Sequence, residues 1–242
     1  EKIALPGESR NIGIKEAGTP WIAFLDLGIA VDANWLTTMW QLVQKRPESG
    51  ALGKCLFYGR DSFTKALCAL TNGVGQAGTT LPGALINRKV FSEIGFFPEY
   101  LRSAEDLVWR EKFTESYGEL TPEKAVISYS TYPENIIQVL KKWFTYSKNT
   151  VWAGVSLKQV MVYIIYFSAL LLIIAINHKI AIIIIFLHYL GRGIIDPIRR
   201  SKSPLWFKTD LFAPILALNL VLWIDLTKYL GFLYGFITFR KS

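Results

Sequence analysis

Seventeen consecutive residues, Val160 to Ile176, carry no charged side chain. About 17 apolar residues is the lower limit for a helix that crosses the hydrocarbon core of a bilayer. After a tight polar turn, Asn177-His178-Lys179, a second uncharged run extends from Ile180 to Gly191, and it reaches Pro197 if Arg192 snorkels toward the interface. A third apolar stretch covers Leu211 to Phe239 and is interrupted by Asp225 and Lys228. It reads either as one long tilted span, with Asp225 paired to Lys228 at helical spacing, or as a span followed by an interfacial segment from Tyr229 to Phe239. The expected spans are therefore about 160–176, 180–197 and 211–239. A buried hairpin of a larger soluble protein is the alternative, but uncharged runs of this length are rare in soluble chains.

The composition sharpens this division. Hydrophobic residues make up 51% of the 242 residues, yet up to about Lys158 the charge density is that of a soluble domain. Two parts follow: residues 1–150 as a folded domain and 159–242 as a transmembrane region. The formal net charge is +8, and the basic residues lie beside the apolar runs rather than on an aromatic-studded soluble face. That placement argues for membrane lipids as partners and against nucleic acid. Lys141, Lys142, Lys148 and Lys158 precede the first span, and Arg192, Arg199, Arg200, Lys202 and Lys208 follow the second. Both groups should face the cytoplasm, which places the folded domain there and the protein in the cell (inner) membrane with several passes. Cys55 and Cys68 form no metal-ligand spacing, and a cytoplasmic domain would keep both thiols reduced.

Within the first 150 residues the pattern alternates between strands and helices, which is the mark of an α/β domain. A helix is expected over 8–17. Trp21 to Leu27 reads as a buried parallel strand ending near Asp26, and Asn34 to Lys45 as a helix with Leu36, Met39, Trp40 and Val43 on one face. A strand is expected at 50–58, and a mobile loop late in 59–82 around Gly73, Gly75 and Gly78. Beyond it come a strand at 83–87, helices at 88–94 and 104–117, a strand at 125–129 and an amphipathic helix over 135–150. A parallel strand at 21–27 needs neighbours on both sides, so the sheet is expected to be incomplete.

Three polar features stand where α/β folds place chemistry. Asp26 lies at the C-terminal end of a strand, where open sheets bind ligands, although it can also simply turn the chain. Glu105-Asp106 opens a helix; the pair suits a capping role, and a carboxylate in a cleft also suits a general base toward a hydroxyl. Gln138 to Lys148, QVLKKWFTYSK, reads as a membrane-surface helix, and equally as a site where cations steady a departing phosphate.

Taken in order, these stretches resemble the family-two inverting, nucleotide-sugar-dependent glycosyltransferases of A-type fold. The resemblance runs through Ser9-Arg10-Asn11-Ile12-Gly13, then Trp21-Ile22-Ala23-Phe24-Leu25-Asp26, then Leu81-Pro82-Gly83-Ala84 and Phe97-Pro98-Glu99, to Glu105-Asp106 and Lys142-Trp143-Phe144-Thr145-Tyr146. It covers roughly residues 8–150. It implies a partial nucleotide-sugar-transferase domain followed by two to three transmembrane helices, and transfer with inversion from a nucleotide-sugar donor to a lipid-linked or polysaccharide acceptor. By resemblance, Asp106 is the catalytic base, with Glu105 positioning it or the acceptor. Arg10, Asn11, Asp26, Lys142 and Trp143 contact substrate, Asp26 near the ribose or diphosphate. A divalent metal, Mg or Mn, is implied at Asp26, yet the family's second acidic residue is here Gly28. Gln138 also lies one residue too far from Trp143 for the family's commonest basic-aromatic motif, which argues against a processive synthase. The first residues, Glu1 to Pro6, read as the middle of a protein. The family's first strand and base-holding acids are expected upstream, in about 50 to 100 further residues. A non-catalytic relative serving a glycan assembly complex is the alternative function, and an unrelated membrane-surface protein a third.

Overall fold

Gly50 to Phe57 is an apolar strand buried along most of its length, and the first unit is built around it. The computed structural model describes residues 4–203 and 205–239. The reading of Glu1 to Ile3 as mid-protein sequence lies outside the described residues. In chain order come α1 (Pro6–Glu16), β1 (Trp21–Ala23), β2 (Ile29–Val31), α2 (Trp35–Val43), β3 (Gly50–Phe57), α3 (Ser62–Thr71), β4 (Ala77–Asn87), α4 (Val90–Glu93), α5 (Glu105–Tyr117), β5 (Ile127–Tyr129) and α6 (Ile136–Ala153). Then follow α7 (Leu157–Ile176), α8 (His178–His188), a π-helical turn (Tyr189–Ile195), α9 (Asp196–Arg200), a short 3-10 helix (Trp206–Thr209) and α10 (Phe212–Ile237). Two compact units result: 1–58 with 76–131, and 59–75 with 132–242. They do not follow the 1–150 and 159–242 division of the chain, because α3 and α6 group with the apolar helices.

The first unit is mixed α/β. Its sheet has the order β1-β4-β3-β5-β2. The β3–β5 pair is parallel, with Cys55 opposite Ile127, and the other pairings are antiparallel. Alternation along β3 and β4 sends Leu52, Ala84 and Ile86 to one face and Ala51, Cys55 and Leu85 to the other. On the first face Phe91, Phe97, Trp109 and Phe113 form a run of close aromatic contacts, with Phe91 and Trp109 stacked at 5.0 Å between centroids. Burying a Phe side chain stabilises by roughly 1.5–3 kcal/mol, so Phe91 and Phe113 fix α4 and α5 firmly to the sheet. On the other face Trp35, Met39 and Val43 of α2 pack against β3 and β4.

Several expectations need correction. The stretch 21–27 is not a buried parallel strand. Only Trp21–Ala23 is strand, antiparallel to β4 and at the edge of the sheet. With one neighbour, β1 stops after three residues, and Leu27 lies fully in solvent. In α2, Trp35 takes the place expected for Leu36 and Trp40, which are both exposed. Residues 59–82 hold α3 and the start of an eleven-residue β4, so Gly78 belongs to a strand rather than a loop. The strand Ile29–Val31 was not legible at all, because its short run pairs only with β5.

In the second unit α10 packs along α6 and α3. Gly231 and Gly235 of α10 give the spacing G-x-x-x-G. A Cβ at Gly231 would sit 2.7 Å from the Phe144 carbonyl oxygen, and one at Gly235 would sit 2.9 Å from the Val151 Cβ. The absence of side chains there lets the two helix backbones approach. Asn177 breaks the α7–α8 hairpin and caps α8, its side-chain oxygen accepting from the Lys179 and Ile180 amides. Leu157–Ile176, His178–Arg200 and Phe212–Ile237 are each long and apolar enough to cross a membrane. The third is one continuous helix. Along α7 and α8, Val162, Ile165, Leu172, Ile182, Ile183 and Phe186 point outward. That arrangement is unfavourable in water and favourable in lipid.

Candidate active site

The order of elements brings two distant acids of the first unit to one arginine. α1 carries Arg10, the segment after β1 carries Asp26, and α5 begins with Glu105. Arg10 donates Nη1 to Glu105 Oε1 and Nη2 to Asp26 Oδ1, the latter at 3.2 Å. Arg10 is largely sheltered, Glu105 is buried and Asp26 is exposed. Burial works against the charged guanidinium, but Asp26 and Glu105 outweigh it and hold the Arg10 pKa above its ordinary value. Burial, and then the neighbouring Asp106, push the Glu105 carboxyl above its ordinary range, opposed by Arg10. The second oxygen, Glu105 Oε2, is buried and has no hydrogen-bond partner among the described residues. An unsatisfied buried carboxylate oxygen is costly unless it is protonated or meets a donor from a ligand.

Backbone geometry sets this corner. Ala104, immediately before Glu105, takes a left-handed conformation at φ 70°. A non-glycine residue there carries strain of order 1 kcal/mol, and such strain concentrates at functional sites. Asn11 supports the same corner. Its side chain donates to the Phe97 carbonyl and to Glu99 Oε1, both at 2.9 Å, and accepts from the Phe97 amide at 3.0 Å. Asn11 is therefore buried and ties α1 to the Phe97–Glu99 segment. Asp106 is partly exposed, and its Oδ1 accepts from the Leu107 amide at 2.9 Å.

Lys142 and Trp143 lie on α6 in the second unit. The Lys142 ammonium stands over the Tyr146 ring, and burial lowers its pKa. Trp143 receives Lys228 of α10 over its ring face at 4.8 Å. The Asp225–Lys228 pair expected from spacing is long, 3.9 Å. The closer partner of Asp225 is His188 at 3.1 Å, a contact between helices that no single-helix periodicity reveals.

The residues do not fit a dedicated divalent-metal site at Asp26. That carboxylate is already held by Arg10, and the position of the second acid is Gly28, at φ +83°. A Cβ there would meet Thr131 Oγ1 at 2.8 Å. Among the described residues no group of three or more His, Cys, Asp or Glu could hold a metal ion.

No protein-family model matches the chain, and no curated protein matches it. Among solved structures it is similar to S. aureus TarS 1-349 in complex with UDP-GlcNAc, at 16% identity and a TM-score of 0.36, covering 59% of this chain and 47% of that one. TarS 1-349 alone gives 14% identity and a TM-score of 0.34 over 96% of this chain and 69% of that one. Its complex with UDP gives 15% and 0.34 over 98% and 73%. The chain thus spans about half the length of the first of these. At this level of identity and TM-score, the chemistry of the chain rests on its own residues.

Proposed function

We propose that the chain is part of a membrane-bound glycosyltransferase that moves a sugar from a nucleotide-sugar donor to a lipid-linked or polysaccharide acceptor with inversion. The observation that carries this reading is the Arg10 clamp, which joins Asp26 to Glu105 beside the accessible Asp106. These are the positions at which the motif resemblance expects donor contact and the catalytic base. Asp106 takes the proton of the acceptor hydroxyl as its oxygen bonds to the anomeric carbon. The bond from that carbon to phosphate breaks, and its electron pair leaves with the nucleoside diphosphate. Glu105, locked by Arg10, positions Asp106 and the acceptor. With the basic residues flanking the spans on the cytoplasmic side, the site works at the inner face of the cell membrane.

The test is Asp106→Asn in the full-length native protein. Transfer from a panel of nucleotide sugars should vanish while membrane insertion is retained; unchanged transfer removes Asp106 from the mechanism. Gly28 in place of the second acid favours a second reading, a non-catalytic partner in a glycan assembly complex. That reading requires the wild-type protein to show no turnover with any donor.

A further inference from the structure

The first unit is acidic as a whole, with 12 Lys and Arg against 14 Asp and Glu. Yet one cavity within it, of about 680 Å³, is lined by Lys15, Arg88 and Lys89 and, among the described residues, by no Asp or Glu. Glu16 and Glu93, the acids close by in sequence, stay outside the lining, and Glu93 accepts from the Tyr117 hydroxyl instead. None of the three cations forms an ion pair with a described residue.

The cavity is built between two turns, one joining α1 to β1 and the other joining β4 to α4. Hydrogen bonds hold these turns together. The Arg88 amide donates to the Pro20 carbonyl at 2.8 Å, and Arg88 Nη2 donates to the Lys15 carbonyl at 3.3 Å. Arg88 Nε and Nη1 keep their donors unused among the described residues. The Lys15 ammonium is held over the Phe96 ring, 5.3 Å from its centroid. Ile14, Phe91 and Phe96 add an apolar side to the lining. The cavity lies at the opposite end of β1 from the Arg10 clamp, since Pro20 precedes that strand and Asp26 follows it. The two share no residue.

We infer that this cavity binds a small organic phosphate, a phosphate ester with a body of sugar size, at a site separate from the candidate active site. Like charges gathered in a recess maintain a positive potential that draws an anion. A guanidinium with unused donors and two ammonium groups suit the terminal oxygens of a phosphate. The volume falls within the range of small-ligand sites and leaves room for an organic body beside the phosphate. A bilayer surface meets protruding side chains, whereas these three cations line a recess, which favours a discrete ligand. The inference is independent of sugar transfer and of Asp106.

The experiment uses the full-length protein in neutral detergent and equilibrium dialysis against radiolabelled glucose 6-phosphate. Binding should saturate, and glucose should not bind. Lys15 and Lys89 are exposed, and their side chains make no hydrogen bond to a described residue, so Lys15→Gln and Lys89→Gln should keep the fold. Each should weaken binding by about tenfold, the effect of one lost charge-assisted contact. Asp106→Asn should bind as the wild type does. Absence of saturable binding overturns the inference, as does unchanged affinity in both folded lysine variants. Equal affinity for inorganic phosphate would show a simple ion site and overturn it. So would the two lysine variants losing only their cosedimentation with phosphatidylglycerol vesicles, the result that a membrane-surface patch gives.

Discussion

Arg10 and Glu105 are 95 positions apart in the chain, yet the guanidinium of one closes directly on the buried carboxylate of the other. The pair ties α1 to the first turn of α5 and fixes the residue that precedes Asp106. Removing one partner of a buried pair leaves an uncompensated charge. Arg10→Met should lower stability by about 3 kcal/mol, read as a fall in the unfolding midpoint. Adding Glu105→Gln to that variant should recover part of the loss. No recovery would mean that Arg10 acts through packing rather than through its charge.

Gly28 bears on metal dependence. Installing the family's second acid by Gly28→Asp forces a side chain into a left-handed backbone and against Thr131. The substitution should cost about 1–2 kcal/mol and confer no thermal shift on addition of Mg. A Mg-dependent rise in the unfolding midpoint of this variant would show that the loop can adapt and that Asp26 can share a metal.

These two sites differ in how far the sequence discloses them. Asp26, Glu105 and Asp106 stand out in the chain because acids at strand and helix ends are visible locally. That Arg10 joins two of them depends on contacts across 16 and 95 positions, and the apolar run Trp21 to Leu27 suggested a parallel strand where the chain has a short antiparallel one. An apolar run states that a segment is buried and not which neighbour buries it. That the Asn11 side chain satisfies the Phe97 backbone, 86 positions away, was likewise not legible locally. The three apolar helices were legible to within three residues at each end, since their lengths answer to bilayer thickness. The ionic cluster within them was not, because His188, Arg192 and Asp225 meet only across helices.

Cys55 supplies a pH-dependent observable. It is packed between α2 and the sheet, and burial pushes its thiol from 9.0 up to about 12. Between those values the folded protein keeps a proton that the unfolded chain has released, so stability should fall as pH rises from about 9 toward 12. The native thiol should resist iodoacetamide at pH 8 and react once the protein is denatured. Cys55→Ala should remove this component of the alkaline slope. Rapid labelling of folded protein at Cys55 would contradict the burial seen here.

The α6–α10 contact depends on two missing side chains. Gly235 faces the Lys148 carbonyl and the Val151 Cβ, and Gly231 faces the Phe144 carbonyl and Ser147. Backbone atoms cannot rotate aside as a side-chain terminus can, so any Cβ must push the helices apart. Gly235→Val should destabilise by about 1–3 kcal/mol, the usual range for overpacking, and Gly231→Val by a similar amount. The shift should also reach the Lys228–Trp143 contact, because both residues lie on these two helices. Tryptophan fluorescence in detergent reads both effects, as a lower unfolding midpoint and an altered emission. A Gly235→Val protein with unchanged midpoint and emission would show that α6 and α10 are not held at this close approach in the native membrane protein.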